Sequence, residues 1–299
     1  MDIRLLILDI DGTLLDLHGD ISPATRQAVA AAIAHGCHVT LATGRRFRSA
    51  LPIAAALGFD LPILVQNGAL IKHSSTFEVL YHHHLDLAAA HQAVALLWEA
   101  GLQPIVYENV FQGDHIHAGP PERDTPAIRS YLDRTPEWLI RHATLTDLLL
   151  PHPPLEVMTF DDSHRLAGLD ERFNIPGLRA ITTMSRQGTS FLEILSHGCS
   201  KAQALHTLLR YFDISLAATM AIGDNYNDLE LLQTAGWSVA MGNEPLAVQR
   251  HADAVTLDCD HDGVAVAIDQ FILNGKLGLA QRADHTSGIL SPMSGEDVR

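Results

Sequence analysis

The sequence predicts an α/β fold: a doubly wound, Rossmann-like parallel sheet with a second α/β unit inserted into it. Leu5-Leu6-Ile7-Leu8 and Thr219-Met220-Ala221-Ile222 are unbroken apolar runs, the pattern of strands buried on both faces of a parallel sheet. Such runs alternate with capped helical segments at βαβ spacing. The insertion is read from a change of texture after His84 and its return near residue 188, in a chain of 299 residues that is long enough for two cores. The expected division is a core of 1–84 and 188–275, an inserted unit over 85–187, and a disordered tail over 276–299.

The first strand ends in Asp9-Ile10-Asp11-Gly12-Thr13, where Gly12 permits a sharp turn. Ser22 at the cap and Pro23 in the first turn start a helix over 24–35, and Gly36 closes it. Residues 38–45 read as a strand ending in Thr43-Gly44, 46–57 as a helix closed by Gly58, and 62–65 as a strand. Asn67-Gly68 marks a turn before an antiparallel flap of 69–71 with 77–81. In the insertion, Asp86 caps a helix ending at Glu99, 104–110 is strand-like, and the polar, proline-bearing stretch 113–126 reads as loop. Helices over 125–133 and 144–150, a strand over 155–160, a helix over 163–173 and a strand over 178–184 follow. Residues 191–195 read as a strand of the returning core. Ser200 caps a helix over 201–211, and the strand 219–222 runs into Gly223-Asp224-Asn225-Tyr226-Asn227-Asp228. A helix over 229–234, strands over 237–241 and 254–257 and a helix over 264–272 complete the pattern.

Bulk properties narrow the function. Apolar residues make up 47% of the chain, which suits a globular core. A net charge of −15 disfavours nucleic-acid binding. Apolar runs are far short of a membrane span, and the N-terminus lacks signal-peptide features, so a cytoplasmic protein is expected. Three cysteines without metal-type spacing fit a reduced compartment. The 18 histidines show no zinc-motif spacing and read as surface and loop residues. Tyr107, His115, His117 and Arg123 are candidates for the insertion's side of a pocket, with loop exposure as the default reading. Cys199 reads as a small buried residue.

Three strands of one parallel sheet thus end in polar residues: Asp9 and Asp11, then Thr43 and Gly44, then Asp224, Asn227 and Asp228, with Lys201 at a helix start. Parallel strand ends converge on one edge of such a sheet. Acids at the end of an apolar strand are costly to place there without a cation or hydrogen bonds. The set suits phosphoryl transfer. Asp9 and Asp224 suit Mg²⁺, a hard cation with few protein ligands. The Thr43 hydroxyl and the N–H groups after Gly44 suit a phosphate oxygen, and Lys201 adds a compact positive charge. One carboxylate serves as nucleophile and its neighbour as acid and base. The alternative roles are ordinary ones: turn residues for Asp9 and Asp11, a helix cap for Asp228, and a surface ion pair for Arg45.

Asp9-Ile10-Asp11-Gly12-Thr13, Thr43-Gly44-Arg45, Lys201 and Gly223 to Asp228 resemble the four motifs of the haloacid dehalogenase (HAD) superfamily. The insertion, Asn67-Gly68-Ala69, Glu193-Ile194, Met241-Gly242-Asn243 and Asp262-Gly263-Val264 are similar to its Cof-type (subclass IIB) phosphatases. The resemblance covers residues 1 to about 273. It implies a HAD-like core with an inserted α/β cap. It also implies a Mg²⁺-dependent phosphoric monoester hydrolase that acts on a small phosphorylated metabolite through an aspartyl-phosphate. Asp9 is then the nucleophile and Asp11 the acid/base. Mg²⁺ is held by Asp9, the Asp11 carbonyl and Asp224. Thr43, Gly44, Lys201 and Asn227 hold the phosphoryl group, and Asp228 gives support from behind. Ala202 stands where relatives often have glycine. The resemblance leaves the substrate and the oligomeric state open. A phosphomutase or phosphotransferase of the same superfamily, or a non-catalytic ligand-binding relative, remain as alternative functions. A dinucleotide-dependent oxidoreductase is disfavoured by the acids after the first strand.

Overall fold

A computed structural model describes residues 2–173, 175–184, 189–243 and 245–274. The expected tail over 276–299 and the expected 187/188 boundary lie outside the described residues. Fourteen strands and ten α-helices are distributed over the described residues. The opening part holds β1 (Leu5–Leu8), α1 (Pro23–Ala34), β2 (His38–Leu41), α2 (Phe47–Ala56), β3 (Pro62–Val65), β4 (Leu70–His73) and β5 (Val79–His82). The insertion holds α3 (Leu87–Glu99), β6 (Ile105–Tyr107), β7 (Ile116–Ala118), α4 (Pro126–Leu132), β8 (Leu139–Arg141), α5 (Leu145–Leu148), β9 (Glu156–Asp162), α6 (Ser163–Leu166), β10 (Leu178–Met184) and β11 (Thr189–Ser196). The chain then returns through α7 (Lys201–Phe212), β12 (Thr219–Gly223), α8 (Leu229–Thr234), β13 (Trp237–Ala240), α9 (Leu246–Gln249), β14 (Ala254–Val255) and α10 (Gly263–Ile268).

The core sheet has the order β14-β13-β12-β1-β2, with every pair parallel. A bridge from Ala42 to Leu64 ties the end of β3 to it, and β3, β4 and β5 form the small antiparallel flap. Side chains alternate across a strand. Leu6 and Leu8 pack with α1, α2 and α10, whereas Leu5 and Ile7 pack with α7 and α8. Both faces of β1 are therefore covered, which is why its sequence shows no polar alternation. Burial of each such side chain contributes roughly 1.5–3 kcal/mol. The caps form as their chemistry requires. The Ser22, Asp86 and Ser200 side chains accept from the N–H groups of Thr25, Ala89 and Gln203.

The cap sheet has the order β10-β11-β9-β6-β7-β8, antiparallel except for the β7–β8 pair. α3 packs on one face and α4 on the other. Four sequence expectations change here. Residues 191–195 lie in β11 and pair with β10 and β9, so this strand belongs to the cap sheet and not to the core. The stretch 113–126 is not all loop, because β7 runs through it. β8 is an additional strand, and 163–173 is two short helical pieces, Ser163–Leu166 and Asp170–Phe173. No helix among the described residues is long and apolar enough to cross a membrane.

Candidate active site

Parallel strands bring distant residues together at the edge that follows β1, β2 and β12. Asp9 is the first residue after β1, and its N–H donates to Ile222 O at 3.0 Å, which fixes it beside β12. Gly12 has φ +82°, a region that favours glycine, and a Cβ there would lie 2.1 Å from Asp224 Oδ2. The turn after β1 thus lets the Asp224 carboxylate pass close against the backbone.

Lys201 is the first residue of α7, and its side chain is fully buried. Its Nζ donates to Asp9 Oδ1 at 2.7 Å and to Asp228 Oδ1 at 2.6 Å. Asp228 Oδ2 accepts the N–H groups of Asp224 and Asn225, each at 3.2 Å. Asp228 is therefore both a cap for the turn after β12 and a support for Lys201. Thr13 donates to Asp224 Oδ1 at 3.5 Å, and Asn243 Nδ2 donates to Asp224 Oδ2 at 3.2 Å and to Gly12 O at 2.9 Å. Asn243 was not a predicted site residue. Its signal was the Met-Gly-Asn triplet after β13, which has no chemical meaning until its position against Asp224 is known.

Asp9, Asp224 and Asp228 are all buried, and each offers an oxygen within 4.8 Å of the others. Burial pushes the Asp9 carboxyl up to about 7. The Lys201 charge lowers it, and the Asp228 and Asp11 charges raise it further. Burial lowers the proton affinity of Lys201, but Asp228 and Asp9 outweigh it and hold the lysine above its ordinary value. Three carboxylates against one lysine leave local negative charge uncompensated, and a cation at this oxygen-only set would offset it. These residues can hold a hard divalent metal.

The remaining predicted residues adjoin this cluster. Arg45 Nε and Nη2 grip the Asp11 carboxylate at 2.7 and 2.6 Å, so the Asp11 side chain faces Arg45 and is no member of the carboxylate cluster. The Thr43 hydroxyl accepts the Arg45 N–H at 3.1 Å. Asn227 Nδ2 donates to Asn67 Oδ1 at 2.9 Å, and Asn67 Nδ2 donates to Glu193 Oε1 at 2.8 Å. Gly44 lies against the same pair, where a Cβ would sit 3.0 Å from Glu193 Oε1. Cys199 is buried, and desolvation pushes its thiol up to about 12, which suits an inert packing residue. Tyr107 and His117 are buried in β6 and β7, contrary to the loop exposure expected of them, because both strands lie inside the cap sheet.

Residues 6–268 match the haloacid dehalogenase-like hydrolase family. The chain is 30% identical over 281 residues to YxeH of Bacillus subtilis, a match that covers 90% of this chain and 98% of that protein. It is 29% identical over 293 residues to phosphatase YwpJ of Bacillus subtilis, covering 88% of this chain and 97% of that one. Its fold is shared with the HAD subclass IIB sugar phosphatase BT4131, with a TM-score of 0.75 at 23% identity over 90% of this chain and 98% of that chain. With the family match running through both halves of the core sheet and the whole insertion, the chain belongs to the haloacid dehalogenase-like hydrolases.

Proposed function

We propose that the protein is a Mg²⁺-dependent phosphatase that hydrolyses a small phosphorylated metabolite, a sugar phosphate or similar monoester, through an aspartyl-phosphate on Asp9. The observation that carries this reading is the buried Lys201 bridging Asp9 and Asp228, with Asp224 beside them. Asp9, Asp224 and the Asp11 backbone would hold Mg²⁺, which would offset phosphoryl charge and orient the phosphorus toward Asp9. Thr43, the N–H after Gly44, Lys201 and Asn227 bind the phosphoryl oxygens. An Asp9 oxygen attacks phosphorus as the ester P–O bond breaks, and the leaving oxygen takes a proton from Asp11. Asp11 then accepts a proton from water, whose oxygen attacks phosphorus as the Asp9–phosphorus bond breaks and phosphate departs. Arg45 must release Asp11 for these transfers. We assign 85–196 to the cap, which covers the site and excludes bulk water. The three free, buried cysteines suit a reducing, cytoplasmic setting.

A panel of phosphate esters assayed with Mg²⁺ tests this reading. Turnover is expected, with loss on chelation and in Asp9→Asn while the fold remains intact. Hydrolysis of no ester, or full activity in Asp9→Asn, overturns it. Phosphate release that requires no acceptor sugar separates hydrolysis from phosphotransfer.

A further inference from the structure

We propose that the cap carries a second metal site, for a divalent transition cation such as Zn²⁺, formed by Glu108, His115 and His117. The site follows from strand register. In the β6–β7 pair Val106 faces His117 and Tyr107 faces Ile116, and the Glu108 N–H donates to His115 O at 3.0 Å. Glu108 is therefore opposite His115, and His117 is two residues further along the same strand. Residues opposite or two apart share one face of a sheet. One potential ligand atom from each of the three lies within 4.8 Å of the others.

His117 provides a separate observation. It is only 5% exposed, and its Nε2 is buried without a hydrogen-bond partner. The nearest carboxylate oxygen, Glu108 Oε1, is 3.6 Å away, beyond a hydrogen bond. The other ring nitrogen, Nδ1, meets His142 Nε2 at 2.8 Å, and the His142 backbone N–H donates to Ala118 O at 2.9 Å, which holds His142 beside β7. When His117 supplies the hydrogen between the two rings, its Nε2 is a bare lone pair facing a carboxylate. Two acceptors then face each other, and a cation between them resolves the conflict. The arrangement is that of a metal-binding histidine, one ring nitrogen held by a neighbouring side chain and the other facing a carboxylate. A set of two imidazoles and one carboxylate suits Zn²⁺ and leaves a coordination position open. The hard, oxygen-preferring Mg²⁺ proposed for the core does not favour it.

The cluster is not part of the phosphoryl site. Tyr107, next to Glu108, faces the opposite side of the strand, and the Arg46 guanidinium of the core lies 5.2 Å from its ring centroid. The cluster adjoins the core–cap junction because Asp114, immediately before His115, binds Arg46 and Arg48. A cation there would fix the hairpin that presents Asp114 to the core.

The test is titration of the metal-free full-length protein with Zn²⁺ by calorimetry, and with Co²⁺ by visible absorption, in excess Mg²⁺ to fill the core carboxylates. Wild type and a His82→Asn/His84→Asn control, which removes part of the densest histidine run, are expected to bind one equivalent with the same affinity. His117→Asn and the half-buried His115→Ala are each expected to weaken binding at least about tenfold, the lower limit for a ligand or its support. Zn²⁺ is also expected to slow hydrogen exchange over 113–118 in wild type. Absence of a stoichiometric site, loss of binding in the His82/His84 control, or retention of full affinity in the folded His115 variant overturns the proposal.

Discussion

Lys201 is the residue on which the site's electrostatics turn. A buried lysine on its own would be costly, and so would two buried carboxylates; together they form a hydrogen-bonded triad. Lys201→Met leaves Asp9 and Asp228 facing each other without their cation. The expected cost is about 3–5 kcal/mol of stability, the usual result of breaking a buried ion pair, measured by urea unfolding. Turnover is expected to fall at least ~100-fold as a charge-stabilising donor is lost. Gly12→Ala tests the neighbouring contact. The new Cβ would collide with Asp224 Oδ2 at 2.1 Å and would be held at φ +82°. Strain of roughly 1–3 kcal/mol is expected, with weaker Mg²⁺ binding by calorimetry; unchanged affinity would show that Asp224 holds no metal. At this scale the sequence was informative where motifs are local. Asp9, Asp224, Asp228 and Lys201 stood out because short strings carried them. The Arg45–Asp11 fork and the Asn243–Gly12 bond join residues 34 and 231 positions apart, and no local pattern announces such pairs.

Elements were legible in proportion to their length and their flanking caps. α1, α3 and α7 carry cap residues and long apolar faces, and all three lie where those signals put them. β7 is three residues long, with a histidine between two small or apolar neighbours and glycine and proline close by, so its composition resembles loop. β11 failed differently. Leu192 and Ile194 pack on the α3 face of the cap sheet and Phe191 packs on the α4 face, and a strand covered on both faces reads the same whichever sheet it joins. β11 also carries Glu193, whose carboxyl burial pushes up to about 7 against the opposing Asn67 hydrogen bond and Lys201 charge. Glu156 on β9 is buried nearby, and burial and the Glu193 charge hold it well above the carboxylate range. Glu193 binds its proton more tightly folded than unfolded. Its contribution is fully present below the ordinary value of 4.5 and is lost as pH rises through about 7. Glu193→Gln keeps an oxygen for Asn67 and removes the ionisation. Its stability relative to wild type is expected to rise between pH 5 and pH 8 in urea melts; parallel pH profiles would show that Glu193 does not retain its proton in the folded state.

At the scale of the molecule, two neighbouring arginines do different jobs. Arg45 holds Asp11, while Arg46, at the N-terminus of α2, reaches the cap. Arg46 Nη2 donates to Asp114 O at 2.7 Å and lies 3.7 Å from its carboxylate, and Arg48 Nε donates to Asp114 Oδ2 at 3.0 Å. The Arg48 guanidinium also lies 3.5 Å from the centroid of the Trp138 ring. Because Arg45 and Arg46 are consecutive, a shift of the cap hairpin pulls on the backbone that presents Arg45 to Asp11. Asp114 has φ 59°, a conformation that asparagine also tolerates, so Asp114→Asn removes the charge with little change to the turn. Arg46 is 5% exposed, and loss of its ionic partner is expected to weaken cap docking by about 1–3 kcal/mol. If turnover requires the docked cap, the apparent affinity falls by the fraction of molecules left open. KM is then expected to rise more than kcat falls, with faster hydrogen exchange over 113–118 and at the start of α2. A variant with unchanged exchange and unchanged KM would show that the Asp114 carboxylate does not hold the cap to the core, and that docking rests instead on its backbone carbonyl and the Arg46–Tyr107 stack.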